Sequence, residues 1–195
     1  TTGKTITTVP AGERPVHLVL TDDGKNLLIG HESHDGLWFL DTRTNQIVRK
    51  LDEGRGGLFR RDKDDKVYQS QIFTPFLFVI DPEWKVIVKK IEVGGRPLDA
   101  AFSPDQKYLF VANYDLNELE KIDTEADSVV ARIPQISCAR GIGITQDGRF
   151  GFVTNVKPST VTVVDLVSSQ VVKTIPVGQM PTSVAMSTNG KWAYV

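Results

Sequence analysis

The 195-residue chain is long enough for one domain or two small ones. Its 23 Lys and Arg stand against 24 Asp and Glu, a net charge of −1, which argues against a dedicated nucleic-acid binder or a polybasic membrane-surface protein. The 40% hydrophobic and 24% charged residues describe a globular chain, and its uncharged apolar stretches, such as 76–80, are too short to span a bilayer.

An internal repeat organises everything else. An Asp after aliphatic residues recurs at Asp41, Asp81, Asp123 and Asp165, in steps of 40, 42 and 42. A turn dipeptide recurs at 23–24, 65–66, 105–106, 147–148 and 189–190 in the same register. The loops G-E-R-P at 12–15, G-G-R-P at 94–97 and G-Q-M-P at 178–181 lie two periods apart. Three landmarks in one register predict an array of equal units, and a unit near 42 residues made of short β-rich runs is the signature of a β-propeller blade.

In chain order, 1–9 reads as the outermost strand of a preceding blade. The repeats then run 10–51, 52–92, 93–134 and 135–175, with a partial unit over 176–195. All of 1–195 therefore reads as one β-propeller fragment. The third repeat is the clearest. Strands A to D are expected at 98–103, 108–112, 118–122 and 129–133, separated by Pro-, Asp- and Asn-rich turns. The second repeat departs from the pattern: R-R-D-K-D-D-K at 60–66 replaces the expected S-P-D-G-K. This alternating-sign run is read as a solvated turn, with a docking surface as its alternative. The last unit supplies strands at 182–187 and 192–195, where the chain ends. A seven-bladed parent of this period needs about 290 residues, so a truncated ring is expected, completed by more of the same polypeptide, by another chain or by self-association. No secretory-signal pattern opens the chain.

The residues A-F-S-P-D-Q-K-Y-L-F-V-A-N-Y (101–114), G-F-V-T-N-V (151–156), V-T-V-V-D-L (161–166) and I-E-V-G-G-R-P (91–97) resemble the YVTN-type β-propeller repeat. The resemblance implies an all-β fold and a periplasmic or extracellular location. It carries over no catalytic residues, because the motif contains none.

Candidate chemistry falls on one face. In a four-stranded meander the D–A and B–C loops share one end of the blade, and loop rims and central channels are favoured ligand sites. The D–A loops carry Arg14, Arg55, Arg96 and Arg140, which would suit a small anionic ligand or an acidic partner. All three histidines map to this face of the first full blade. His17 stands at the start of strand A, and His31 and His34 lie in G-H-E-S-H-D-G with Glu32 and Asp35. They form the candidate metal or haem contact, since imidazole and carboxylate complete such sites. The recurrent Asp series is read as turn-forming. The single cysteine, Cys138, excludes an internal disulfide, a C-x-x-C-H haem attachment and a two-Cys zinc site.

Two functions follow. The first is a non-catalytic binding or scaffold propeller of an exported protein, presenting D–A and B–C loops to a protein partner or small ligand. The second is a propeller subunit or domain of a periplasmic redox enzyme, of the amine dehydrogenase, haem nitrite reductase or hydrazine synthase type, packing against a haem, quinone or metal centre. No cofactor is required by the residues themselves.

Overall fold

The computed structural model describes residues 3–195 and contains strands and turns, with no helix among them. A first antiparallel sheet is built in order from β1 (Pro15–Leu20), β2 (Asn26–His31), β3 (Leu37–Asp41) and β4 (Gln46–Leu51). The second runs through β5 (Leu58–Arg60), β6 (Val67–Ser70), β7 (Phe76–Asp81) and β8 (Val86–Glu92). The third comprises β9 (Pro97–Phe102), β10 (Tyr108–Asn113), β11 (Glu118–Asp123) and β12 (Ser128–Ile133). The fourth comprises β13 (Ala139–Ile144), β14 (Phe150–Asn155), β15 (Thr160–Asp165) and β16 (Gln170–Pro176). A two-stranded sheet, β17 (Ala185–Met186) with β18 (Ala193–Tyr194), follows. Four-stranded meanders packed face to face make this an all-β propeller fold.

The middle strands of each meander are apolar on both faces because each sheet is sandwiched between neighbours. Between the first and second sheets Leu28, Leu37, Phe39, Leu58, Val67 and Ile80 pack together. Tyr68, Leu77, Val93, Leu109, Val111 and Ile122 fill the next seam. Phe110, Leu119, Ile133, Ile142, Val153 and Val164 fill the one after. Each fully buried Leu, Ile or Phe contributes about 1.5–3 kcal/mol. The last strand of each meander alternates toward solvent, as Val48, Val88, Val130 and Val172 are exposed.

The recurrent Asp residues close the turn between the third and fourth strands. Asp41 Oδ1 accepts from the amides of Arg43 and Thr44 at 2.9 and 2.8 Å, and Asp81, Asp123 and Asp165 repeat the arrangement. Four residues after each Asp the chain turns left-handed, at Asn45, Lys85, Asp127 and Ser169. These carboxylates are consumed by their own backbone.

Three expectations are corrected. Residues 3–9 form no strand, and Thr1 and Thr2 lie outside the described residues. Instead Val9 and Ala11 lie against Ile29, Trp38 and Leu40. Of the expected strand at 182–187 only Ala185–Met186 pairs. The basic-acidic run of the second repeat is not simply solvated: the Arg61 side chain is 1% exposed and reaches the β11–β12 turn.

Candidate functional site at the mouth of the channel

Strand pairing fixes which residues are equivalent. His17, Asp99 and Leu58 pair with Gly30, Ala112 and Gln69. Leu37, Leu77, Leu119 and Val161 pair with Gly30, Ser70, Ala112 and Thr154. Val16, Gly56, Leu98, Arg140 and Thr182 therefore occupy one slot at the start of successive inner strands. Glu32, Ile72, Tyr114 and Val156 occupy one slot in successive B–C loops. All nine line a single cavity of about 770 Å³, together with His17, Arg96 and Asp99. One slot contributed by every repeat defines a cavity on the propeller axis, at the end where D–A and B–C loops meet.

Two side chains at equivalent positions brace this wall. Asp99 Oδ2 accepts from the Ile142 amide at 3.1 Å, and its Oδ1 from the Ala100 amide at 2.9 Å. His17 Nδ1 accepts from the Leu58 amide at 3.4 Å, and Leu58 is to the first pair of sheets what Ile142 is to the second. Because Nδ1 accepts, the neutral ring carries its proton on Nε2, which makes no hydrogen bond among the described residues. His17 is thus set to donate toward the cavity. Burial pushes the Asp99 carboxyl upward, opposed by the two amides, by the charge of Arg140 and, whenever its ring is protonated, by that of His17.

Arg96 lies 4.5 Å from the Tyr114 ring centroid and donates to Asp115 at 2.9 Å, while its Nε is buried without a partner. Arg140 makes no ion pair or side-chain hydrogen bond among the described residues. Glu32, by contrast, is committed to Arg14 at 2.6 Å. The cavity therefore holds cationic and hydrogen-bond-donating groups not fully used by the protein.

The other candidates are dispersed. His31 is fully buried, with Nδ1 2.9 Å from the Gly36 carbonyl and Nε2 2.5 Å from the Ala11 carbonyl, so neither nitrogen is free to bind a ligand. His34 Nδ1 meets Arg55 at 2.5 Å in a separate groove beside Phe73. Asp35 accepts from the Glu13 amide at 2.5 Å, which holds its carboxyl below the ordinary range. His17, His31 and His34 thus do not converge as a metal site, because each ring is engaged by different backbone or side-chain groups. Among the described residues no group of three His, Cys, Asp or Glu side chains is placed to hold a metal ion. Of the candidates read from the sequence, His17, Glu32, Arg96 and Arg140 line this one cavity. Those candidates do not include Asp99, hidden in an apolar strand, or Tyr114 in its B–C loop. Alignment of repeat slots is the signal that finds both.

No helix long and apolar enough to cross a membrane is present among the described residues. A family model described as the cytochrome D1 heme domain matches residues 76–184, more than half of the chain. Over 177 residues the chain is 27% identical to dihydro-heme d1 dehydrogenase of Pseudomonas aeruginosa, covering 84% of this chain and 36% of that protein. It is 32% identical over 105 residues to protein NirF of the same organism, covering 53% of this chain and 26% of NirF. Hydrazine synthase of Kuenenia stuttgartiensis superposes with a TM-score of 0.81 at 24% identity, covering 99% of this chain and 57% of that one, a likeness of fold. The chain spans about a third of the length of the curated relatives it matches.

Proposed function

Because the chain belongs to the cytochrome D1 heme domain family, we propose that its channel-mouth cavity holds a haem-type tetrapyrrole bearing carboxylate groups, within a periplasmic redox protein. The observation that carries this reading is the axial cavity of about 770 Å³ with Arg96 and Arg140 on its wall. That volume is in the range of small-molecule sites. Arg140, which has no ion pair or side-chain hydrogen bond among the described residues, and Arg96, whose Nε has no partner among them, fit a ligand edged with carboxylates, since guanidinium–carboxylate pairing is bidentate and directional. Tyr114, backed by Arg96, supplies a flat aromatic surface.

The chain's own residues bind, orient and hold protons. Arg96 and Arg140 fix the anionic edge. His17 presents Nε2–H to an acceptor on the ligand. Asp99, its carboxyl held up by burial, is a place to store a proton in the cavity. When bound, the tetrapyrrole iron supplies the one-electron chemistry, and its surroundings tune the potential. The family membership and the haem d1 dehydrogenase among the relatives support this redox reading over a scaffold that presents loops to a partner. The strand ends V-A-N at 111–113 and V-T-N at 153–155 support the finer YVTN-type assignment.

Titration of the chain with haemin, followed by Soret absorbance, tests the reading. Arg96→Ala and Arg140→Ala should each weaken binding about tenfold, equivalent to about 1.4 kcal/mol, with an unchanged circular dichroism spectrum. No saturable Soret change at micromolar protein, or equal affinity in the double variant, would overturn it.

A further inference from the structure

The third sheet carries a side chain that the repeat does not call for. Strand pairing makes Glu120 equivalent to Trp38, Phe78 and Thr162, the residues that follow Leu37, Leu77 and Val161 on the third strands. Only in this sheet is that slot ionisable. Glu120 is fully buried and its Oε2 has no hydrogen-bond partner among the described residues. An orphaned buried carboxyl oxygen is costly, so its neighbours should reveal a use for it.

Its Oε1 accepts from Asn113 Nδ2 at 2.9 Å. Asn113 stands in the buried polar slot that ends every second strand, held elsewhere by His31, Gln71 and Asn155. The same Nδ2 donates to the Gly94 carbonyl at 2.9 Å. Asn113 Oδ1 in turn accepts from the amides of Arg96 at 3.1 Å and Leu116 at 3.3 Å. The Tyr114 amide closes the circuit by donating to the Arg96 carbonyl at 3.0 Å. One carboxamide therefore ties together the two loops that bring Arg96 and Tyr114 to the cavity. The acceptor at Glu120 joins the Gly94 carbonyl in fixing which way that carboxamide points: reversed, its oxygen would face a carboxyl oxygen and a carbonyl oxygen, and the Arg96 amide would lose its acceptor.

We propose that Glu120 is a positioning residue for the channel cavity, acting through Asn113 to hold the loop that carries Arg96 and Tyr114. The proposal rests on the reading of this cavity as a binding site for a carboxylate-bearing ligand, and it adds a regulation of that site by pH. With Oε1 occupied as an acceptor, the arrangement suits a proton on Oε2. Burial, with Glu118 alongside, pushes the carboxyl up to about 8, against the Asn113 hydrogen bond and the charge of Arg132. The charged groups facing it are Glu118 and Arg132. From the β8–β9 loop the uncharged carbonyls of Val93 and Gly94 meet its two partners, Asn113 and Arg132. Arg132 is 3.5 Å from Glu120 Oε1 but 2.6 Å from Glu118 and 3.2 Å from the Val93 carbonyl, so it is already engaged. Above pH 8 the new charge draws Arg132 or water inward. Either response disturbs 93–96, the segment that positions Arg96.

Amide hydrogen exchange of the ligand-free chain, corrected for intrinsic rates, is the direct test. Between pH 6 and 9.5 the Arg96, Tyr114 and Leu116 amides should lose about tenfold protection around pH 8. Glu120→Gln mimics the neutral acid and should keep them protected throughout. Glu120→Leu removes the acceptor and should expose them at every pH. Haemin affinity of the wild type should fall with the same midpoint and stay flat in Glu120→Gln. An unchanged pH profile in Glu120→Gln would overturn the inference, and that outcome needs no ligand and does not depend on the leucine variant folding. A normal exchange switch without any haemin binding would uphold Glu120 as a positioning residue and reject the tetrapyrrole reading.

Discussion

Replacing Arg61 tests the account of the second repeat most sharply. At the equivalent slot Thr21, Ser103, Thr145 and Ser187 fold a hydroxyl back onto the adjacent turn, bonding Asp23, Asp105, Asp147 and Asn189 at 2.6–2.8 Å. Arg61 instead crosses to the next sheet. It donates through Nη1 to the Thr124 carbonyl at 2.6 Å and through Nη2 to Glu125. Lys66 reaches Asp127 at 3.0 Å and Tyr68 reaches it at 2.5 Å, while Lys63 and Lys89 reach Glu125 and the Ala126 carbonyl, so one turn is grasped by five side chains of the preceding sheet. Arg61→Ala removes a charge-assisted hydrogen bond, about 1.5–3 kcal/mol, and two buried methylenes, Cγ and Cδ, about 0.8 kcal/mol each. Two factors moderate the loss. The Thr124 carbonyl keeps Tyr68 and Lys66 as donors, and the exposed Glu125 returns to water. The expected cost is about 2–3 kcal/mol, or roughly 8 °C in Tm for a chain of this size. Arg61→Met keeps most of the volume and should cost about 1–2 kcal/mol. Lys63→Ala, which removes an exposed pair with Glu125 at 2.6 Å, should cost less than about 1 kcal/mol and should matter less as salt rises. Urea unfolding of the three variants measures these values. An Arg61→Ala loss below about 1 kcal/mol, or one equal to that of Lys63→Ala, would refute the clasp.

Two further outcomes are expected. Gly36 has φ 72°, and an added Cβ would lie 1.9 Å from the Leu51 carbonyl oxygen, so Gly36→Ala should cost more than about 3 kcal/mol or prevent folding. Gly24, at φ 67° in open space, should tolerate Ala at about 1 kcal/mol in the same melting assay. His31→Ala deletes the ring that bridges two backbone carbonyls and should cost about 2–4 kcal/mol. It should also shift buried tryptophan emission to the red, because Trp38 is 5.0 Å from that ring and is the buried indole beside exposed Trp84 and Trp192.

The fold was legible because its period is written in residues with a local mechanism. An Asp that captures two backbone amides ends the third strand of each meander, whatever surrounds it. The site was legible in part. Position within a repeat decides which end of the sheet a residue reaches, and His17, Arg96 and Arg140 line one cavity at that end. Convergence depends instead on the inner-strand register, which composition does not reveal. That is why His31 and His34 resembled a ligand pair although one is buried and the other joins Arg55. His31 shares its slot with Gln71, Asn113 and Asn155, and an aligned slot of buried polar residues marks a latch more strongly than a histidine marks a metal.

The departures from the repeat have a common logic. In the fourth sheet the latch is satisfied by short neutral groups, with Asn155 donating to Thr160 and Thr162 at 2.9 and 2.7 Å. In the third sheet the same slot is satisfied through Glu120, whose cost a purely structural sequence would avoid by using Thr or an aromatic residue. Arg61 is the mirror case at the opposite end of the adjoining seam, where a small hydroxyl residue would suffice to close the turn. Both exceptions use charge at the junction of the second and third sheets. Arg61 fixes that junction through an exposed partner that can remain solvated, so its contribution is mechanical. Glu120 has no solvated partner for its second oxygen, so its charge state must be carried by the loop beside it. That loop bears Arg96, and the difference between the two exceptions is therefore the difference between holding the propeller together and tuning what its channel binds.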